Sequence, residues 1–248
     1  VYPLINWGEW EIPTNYILNS LGFILGFLVF ALDYRQKGSL GILPWLMLFT
    51  VLGAFVGNQM AEIFIFYRKA LLLAFCKSPL RVLFDDLGWS SEGAFFGALV
   101  SVFAFSLVTR RNFLSIADSM SLGALALGIL GRTGCFLEGC CFGRPADLPW
   151  AVKFPLSAYP VHPTQLYEVG LILIYGAIIL FVKNWLKMPG LLFFITMSFW
   201  GAERFLLDFL KPLAPAFLSL SWEQVISLGI VIVGIVGMIW LLSIRDEP

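Results

Sequence analysis

Two arginines stand where a hydrocarbon interior is expected. Arg132 lies in Gly131-Arg132-Thr133-Gly134 near the end of one apolar stretch, and Arg204 lies four residues before Asp208 in another. The apolar stretches also hold Glu62, Asp118, Glu168 and Glu203. An ionisable group at membrane depth costs several kcal/mol unless it is paired or wetted, so each is a functional hypothesis by default. A guanidinium presents a planar fork that grips phosphate through parallel hydrogen bonds, which an ammonium does less well. Two such groups at one depth describe a site for an anionic lipid headgroup. The competing reading is charge neutralisation, with Arg132 paired to Glu168 and Arg204 to Asp208. The second pair is four apart, so it shares one helix face.

A second cluster follows Arg132 directly. Cys135, Cys140 and Cys141 crowd one helix end, and Cys76 falls in the preceding connection on the same side. Three chemistries are open. External cysteines form disulfides, here Cys135 with Cys140, or Cys76 with one of the three. One thiol could instead be a nucleophile that accepts lipid, activated by the nearby Arg132. Finally, the three with His162, the single histidine of the chain, could hold zinc or another soft metal, although Cys-x4-Cys-Cys with a distant histidine is not a usual zinc spacing. The site as read contains no metal and no cofactor. His162 precedes Pro163 and reads as an anchor for the following loop more than as a general base. Gly128, Gly131, Gly134, Gly139 and Gly143 surround the same helix end; small residues admit close helix packing or the approach of backbone to a ligand.

The elements that carry these groups are membrane helices. Of 248 residues, 59% are hydrophobic and 13% charged, with a mean hydropathy of +0.87. Soluble domains carry about 25% charged residues, so a water-soluble enzyme is excluded. Sixteen basic and sixteen acidic side chains leave no net charge, and nothing points to nucleic acid as a partner. A bilayer-crossing helix needs about 20 apolar residues. Helices are predicted over Tyr16–Leu32, Ile42–Tyr67, Gly93–Val108, Phe113–Phe136, Leu166–Val182, Leu191–Leu210 and Val225–Ser243. The fold class is therefore all-α: a polytopic membrane protein of about seven spans, forming a single domain over residues 1–248. No basic segment followed by a cleavable apolar stretch opens the sequence, so no signal peptide is expected.

Three connections are short and basic, holding Arg35 and Lys37, Arg110 and Arg111, and Lys183 and Lys187; with Arg245 they fall on one face. Because short basic loops stay cytoplasmic, the N-terminus is expected outside and the C-terminus inside. The connection 137–165, with Pro145, Pro149, Pro155, Pro160 and Pro163, cannot be helical and is expected to form an ordered external cap, with Trp150 and Tyr159 near the interface.

These residues carry a resemblance. Gly131-Arg132-x-Gly134-x-Phe136, then Gly139, Gly143-Arg144-Pro145 and His162-Pro163-Thr164-Gln165-Leu166-Tyr167-Glu168 resemble the prolipoprotein diacylglyceryl transferase family. Trp200-Gly201-x-x-Arg204-Phe205-x-x-Asp208-Phe209-x-Lys211 is similar to that family's penultimate-helix motif, and Gly53–Tyr67 and Gly93–Gly97 are weaker landmarks. The resemblance implies an inner-membrane enzyme without metal or nucleotide. Phosphatidylglycerol would donate diacylglyceryl to the lipobox cysteine thiol of a secreted precursor protein. It implies phosphate-binding roles for Arg132 and Arg204, with Asp208 orienting Arg204, and substrate contacts from Tyr16, Gly131, Gly134, Cys135, Gly139, Cys140, Gly143, His162, Gln165, Tyr167 and Glu168.

The chain departs from the family pattern at specific places. Cys135 replaces an asparagine, Cys140 replaces an acid, and Trp200 replaces a tyrosine. Ser90-Ser91-Glu92 stands where the family has a segment with histidine, and Asn58 and Gln59 stand where an arginine is usual. Glu92 is thus the candidate proton acceptor, if burial raises its pKa toward neutrality. Such departures leave open a homologous transferase with another acceptor, a small thiol or its own cysteine, and a lipid-binding subunit without catalysis.

Overall fold

The structure, a computed structural model, describes residues 4–7, 10–61, 90–215 and 217–245. Among them seven α-helices follow in order: α1 (Thr14–Tyr34), α2 (Leu43–Ala61), α3 (Ser91–Thr109), α4 (Phe113–Glu138), α5 (Thr164–Val182), α6 (Leu191–Asp208) and α7 (Trp222–Arg245). A helix satisfies its own backbone polar groups, which hydrocarbon demands. Six of the seven are long and apolar enough to cross a membrane. α6 is 18 residues long but carries Glu203, Arg204 and Asp208 near its end. Each expected span is helical, with ends shifted by a few residues. The expected continuation of α2 to Tyr67, with Glu62, lies outside the described residues, as does Cys76. One feature was not expected: a hairpin of β1 (Leu4–Trp7) and β2 (Trp10–Pro13) precedes α1, pairing Leu4 with Pro13 and Trp7 with Trp10.

The chain divides into two compact units, Gly38–Phe113 and Val1–Lys37 with Leu114–Pro248. In the first, α2 and α3 pack backbone on backbone. A Cβ on Gly57 would lie 2.2 Å from the Gly93 carbonyl oxygen and 2.6 Å from Gly97 Cα. Lipid tails are as apolar as leucine, so such close packing, and not hydrophobic burial, holds helices together in a bilayer. Ser90 Oγ accepts from Gly93 N at 3.1 Å and starts α3, while Ser90 N donates to buried Asn58 Oδ1 at 2.7 Å.

The second unit contains α1 and α4 to α7. Their alternating course gives it two polar ends separated by an apolar middle, where Leu122, Tyr175, Ile179 and Leu192 form a core and Tyr175 stacks on Phe199 at 4.1 Å. At one end Asp33 accepts from Lys37 Nζ at 2.6 Å and from Ser119 Oγ at 2.7 Å. Beside them Asp118 of α4 accepts from the backbone of Gly190 at 2.7 Å and Phe193 at 2.8 Å, supplying donors at the start of α6 with an acceptor. Ile24, Ile174 and Ile239 are among the many exposed apolar side chains of α1, α5 and α7, as a lipid-facing surface requires. The other polar end holds the candidate site.

Candidate functional site

Glu168 stands in the first two turns of α5 and is buried. Three cations reach its carboxylate. Arg132, from the last two turns of α4, forms a close ion pair through Nε to Oε2. Arg204 NH1, from α6, lies 3.6 Å from Oε1, and Lys211 Nζ, just beyond α6, lies 3.1 Å from the same oxygen. Lys211 also sits 3.1 Å from Asp208 Oδ1. The two arginines therefore meet on one carboxylate, and Glu168 serves more than the Arg132 pair expected for simple neutralisation. Glu203 is buried in the same unit, and among the described residues its Oε1 has no hydrogen-bond partner. Asp208 borders a cavity of about 260 Å³ together with Arg144, Phe209, Ser221 and Gln224.

The connection after α4 forms an ordered cap. Gly139, with φ of 80°, ends α4 in the left-handed conformation that glycine adopts without steric cost. Gly143 N donates to the His162 carbonyl at 2.9 Å, His162 N to the Arg144 carbonyl at 3.1 Å, and Val152 and Val161 exchange backbone bonds. Arg144 ties this loop to the residues just beyond α6 through Nε to the Lys211 carbonyl at 2.9 Å. Phe154 is buried beneath it, stacked on Phe142 and edge-on to Phe136.

The run from His162 to Glu168 acts as a set of clamps. Thr164 Oγ1 donates to the Cys141 carbonyl at 2.9 Å, and Gln165 Nε2 donates to the Cys140 carbonyl. Tyr167 Oη accepts from Trp150 Nε1 at 2.8 Å and lies 3.3 Å from His162 Nδ1. His162 is thus tied to the cap. At Gly143 a Cβ would lie 2.7 Å from the Leu210 carbonyl oxygen and 2.8 Å from His162 Cβ, so the missing side chain admits the protein's own packing. Gly131 and Gly134 likewise face α1, where a Cβ would lie 2.8 Å from Asn19 Oδ1 and 2.9 Å from Asn15 Oδ1. Those two amides hydrogen-bond each other at 2.5 Å.

Cys135, Cys140 and Cys141 are free thiols, with sulfurs all within 4.8 Å of one another. The disulfide expected between Cys135 and Cys140 is absent from this structure, and the thiol group closes without His162. Cys140 Sγ donates to Glu138 Oε2 at 3.4 Å. Hydrogen bonds from the Cys135 and Cys140 thiols, and then the charges of Arg132 and Lys211, pull the Cys141 thiol well below the ordinary thiol range. Cys140 is pushed in the opposite direction by its thiol neighbours and burial.

Tyr16 is exposed on the first turn of α1. Glu92 belongs to the Gly38–Phe113 unit, where it is buried in the first turn of α3 and accepts from Ser91 Oγ at 3.1 Å. Sequence reasoning missed Asn15 and Asn19, which have no motif, and carried Lys211 only as the last residue of one. A cation three residues beyond Asp208 on a helix end was the available signal for Lys211.

A family model described as prolipoprotein diacylglyceryl transferase matches residues 4–240. The chain is similar to phosphatidylglycerol–prolipoprotein diacylglyceryl transferases from several bacteria. It is 32% identical to that of Bordetella parapertussis over 236 residues, covering 87% of each protein. It is 33% identical to that of Aeromonas hydrophila over 213 residues, covering 82% of this chain and 74% of the relative. The protein of Cereibacter sphaeroides is 30% identical over 223 residues, or 78% and 75%.

Proposed function

The chain belongs to the prolipoprotein diacylglyceryl transferase family, and from that premise we propose how its charged cluster performs the transfer. It is a bacterial inner-membrane transferase that moves diacylglyceryl from phosphatidylglycerol to a prolipoprotein. The acceptor is a lipobox cysteine of the secreted precursor. The N-terminus lies outside, so the Glu168 end of the bundle opens toward the outer leaflet, where such precursors emerge.

The observation that carries this reading is the convergence of Arg132, Arg204 and Lys211 on the one carboxylate of Glu168. Glu168 holds the cations at one spot in the resting protein. A headgroup phosphate then takes its place on the guanidinium forks, with Asp208 keeping Lys211 at hand. The acceptor sulfur attacks the glycerol carbon bearing the phosphate. A carbon–sulfur bond forms, the carbon–oxygen bond breaks, and glycerol phosphate leaves with the electron pair. The thiol proton leaves to solvent as the carbon–sulfur bond forms. Fixed cations facing the phosphate stabilise charge that develops only in the transition state, where such groups are worth most.

The test uses purified protein, phosphatidylglycerol and a lipobox peptide. Arg132→Ala and Arg204→Ala should each lower transfer by about 10²–10³-fold, the scale for removing one preorganised donor. Wild-type turnover in either variant sinks the clamp. Intact-mass measurement of peptide and protein separates the second reading, favoured by the free thiols beside Arg132, in which the lipid ends on the protein's own cysteine.

A further inference from the structure

Beside the charged cluster lies a group that transfer to a precursor's thiol does not use. Cys135 begins the last turn of α4, and Cys140 and Cys141 follow its glycine stop. Their sulfurs lie within 4.8 Å of one another. Three sulfurs placed about 2.3 Å from a common ion stand roughly 4 Å apart, so small side-chain rotations close the triangle. The loop that presents them is held from both sides. Cys140 N donates to the Cys135 carbonyl at 3.1 Å, and Gln165 and Thr164 hold the Cys140 and Cys141 carbonyls from α5. Cys141 itself takes a φ of 61°, a left-handed conformation that a residue with a Cβ rarely adopts. This conformation belongs to the residue whose sulfur completes the group.

We propose that Cys135, Cys140 and Cys141 form a three-thiolate site for a thiophilic d10 cation at the end of α4. Thiolates select soft ions, Cu(I) and zinc foremost. Cu(I) fits better than Zn²⁺ here. Among the described residues the group offers three ligands and no fourth, whereas structural zinc takes four in a tetrahedron. Three thiolates around a monovalent ion carry two negative charges, and Arg132 stands three residues before Cys135 on α4. Before an ion binds, Glu138 accepts the hydrogen bond of the Cys140 thiol and orients that sulfur. Cys141 is exposed and gives an ion its way in, while Cys135 and Cys140 are half-buried. Binding forms three metal–sulfur bonds and releases the thiol protons to the solvent, with no change of oxidation state. The site stands independently of the transferase reading.

The experiment titrates the full-length protein, reduced and anaerobic in detergent, with Cu(I) and separately with Zn²⁺ against a competing chelator. The expected result is one Cu(I) per chain, bound at least about ten-fold more tightly than Zn²⁺, with proton release. Cys135→Ser, Cys140→Ser and Cys141→Ser should each weaken it by about ten-fold or more, as loss of groups around a metal does. X-ray absorption on the loaded wild-type protein should show a nearest shell of three sulfurs, a readout independent of how the variants fold. A shell of nitrogen or oxygen, affinity unchanged in the serine variants, no stoichiometric binding, or a preference for Zn²⁺ overturns the proposal.

Discussion

Glu168 neighbours Arg132, Arg204 and Lys211, so its removal differs in kind from removal of any one cation. Glu168→Ala leaves three buried or half-buried positive groups facing one another. Breaking a buried pair from one side costs about 3–5 kcal/mol because the remaining charge is uncompensated. Arg132→Met removes one of three cations and leaves Glu168 paired with Arg204 and Lys211, so it should cost less than Glu168→Ala. Thermal unfolding in detergent ranks the variants; equal losses would mean that the carboxylate is not the hub. Arg132, Arg204 and Glu168 could be picked out from sequence because charge inside an apolar stretch is conspicuous by type alone. Their convergence was not visible, since Glu168 and Lys211 are separated by 43 positions and only the packing of α5 against α6 brings them together. Asn15 and Asn19 were invisible for a different reason: a neutral amide near the start of a span resembles any polar helix end.

The helices themselves were largely readable, because a span is set by the length of apolar chain needed to cross hydrocarbon. Their ends were not. α6 begins with backbone donors whose acceptor, Asp118, comes from 72 and 75 positions earlier on α4. Caps are ordinarily supplied by the residue before the helix, and here that residue is Gly190. Asp118→Ala should therefore destabilise the protein by about 1–3 kcal/mol, the cost of stranding buried donors, and Asp118→Asn, which keeps one acceptor oxygen, by less. The melting temperatures of the two variants check this ordering, and an Asp118→Ala protein as stable as wild type would remove α4 from the start of α6. The run from His162 to Glu168 shows the same limit. Its residues stood out as a motif, but that Thr164 and Gln165 clamp the carbonyls of Cys141 and Cys140 depends on a loop doubling back over α5. The backbone contact of α2 with α3 was hinted at by Gly53, Gly57, Gly93 and Gly97, and its closeness is a property of the pair of helices.

For the whole molecule, the positive-inside distribution of the short connections predicts an external N-terminus and a cytoplasmic C-terminus. A reporter fused after Arg245 that is active only in the cytoplasm should be active, and the same reporter placed in the 137–165 connection should be silent. The reverse pattern would put the Glu168 end on the wrong leaflet for secreted precursors. Composition and apolar length alone determined that the chain lives in a bilayer and that its helices alternate across it, because transfer of whole segments from water to hydrocarbon is additive along the chain and needs no partner. The tertiary structure decided which charges share one carboxylate, which glycines admit neighbouring helices and which thiols meet, because ion pairs, close contacts and shared ligands depend on distances between segments far apart in sequence.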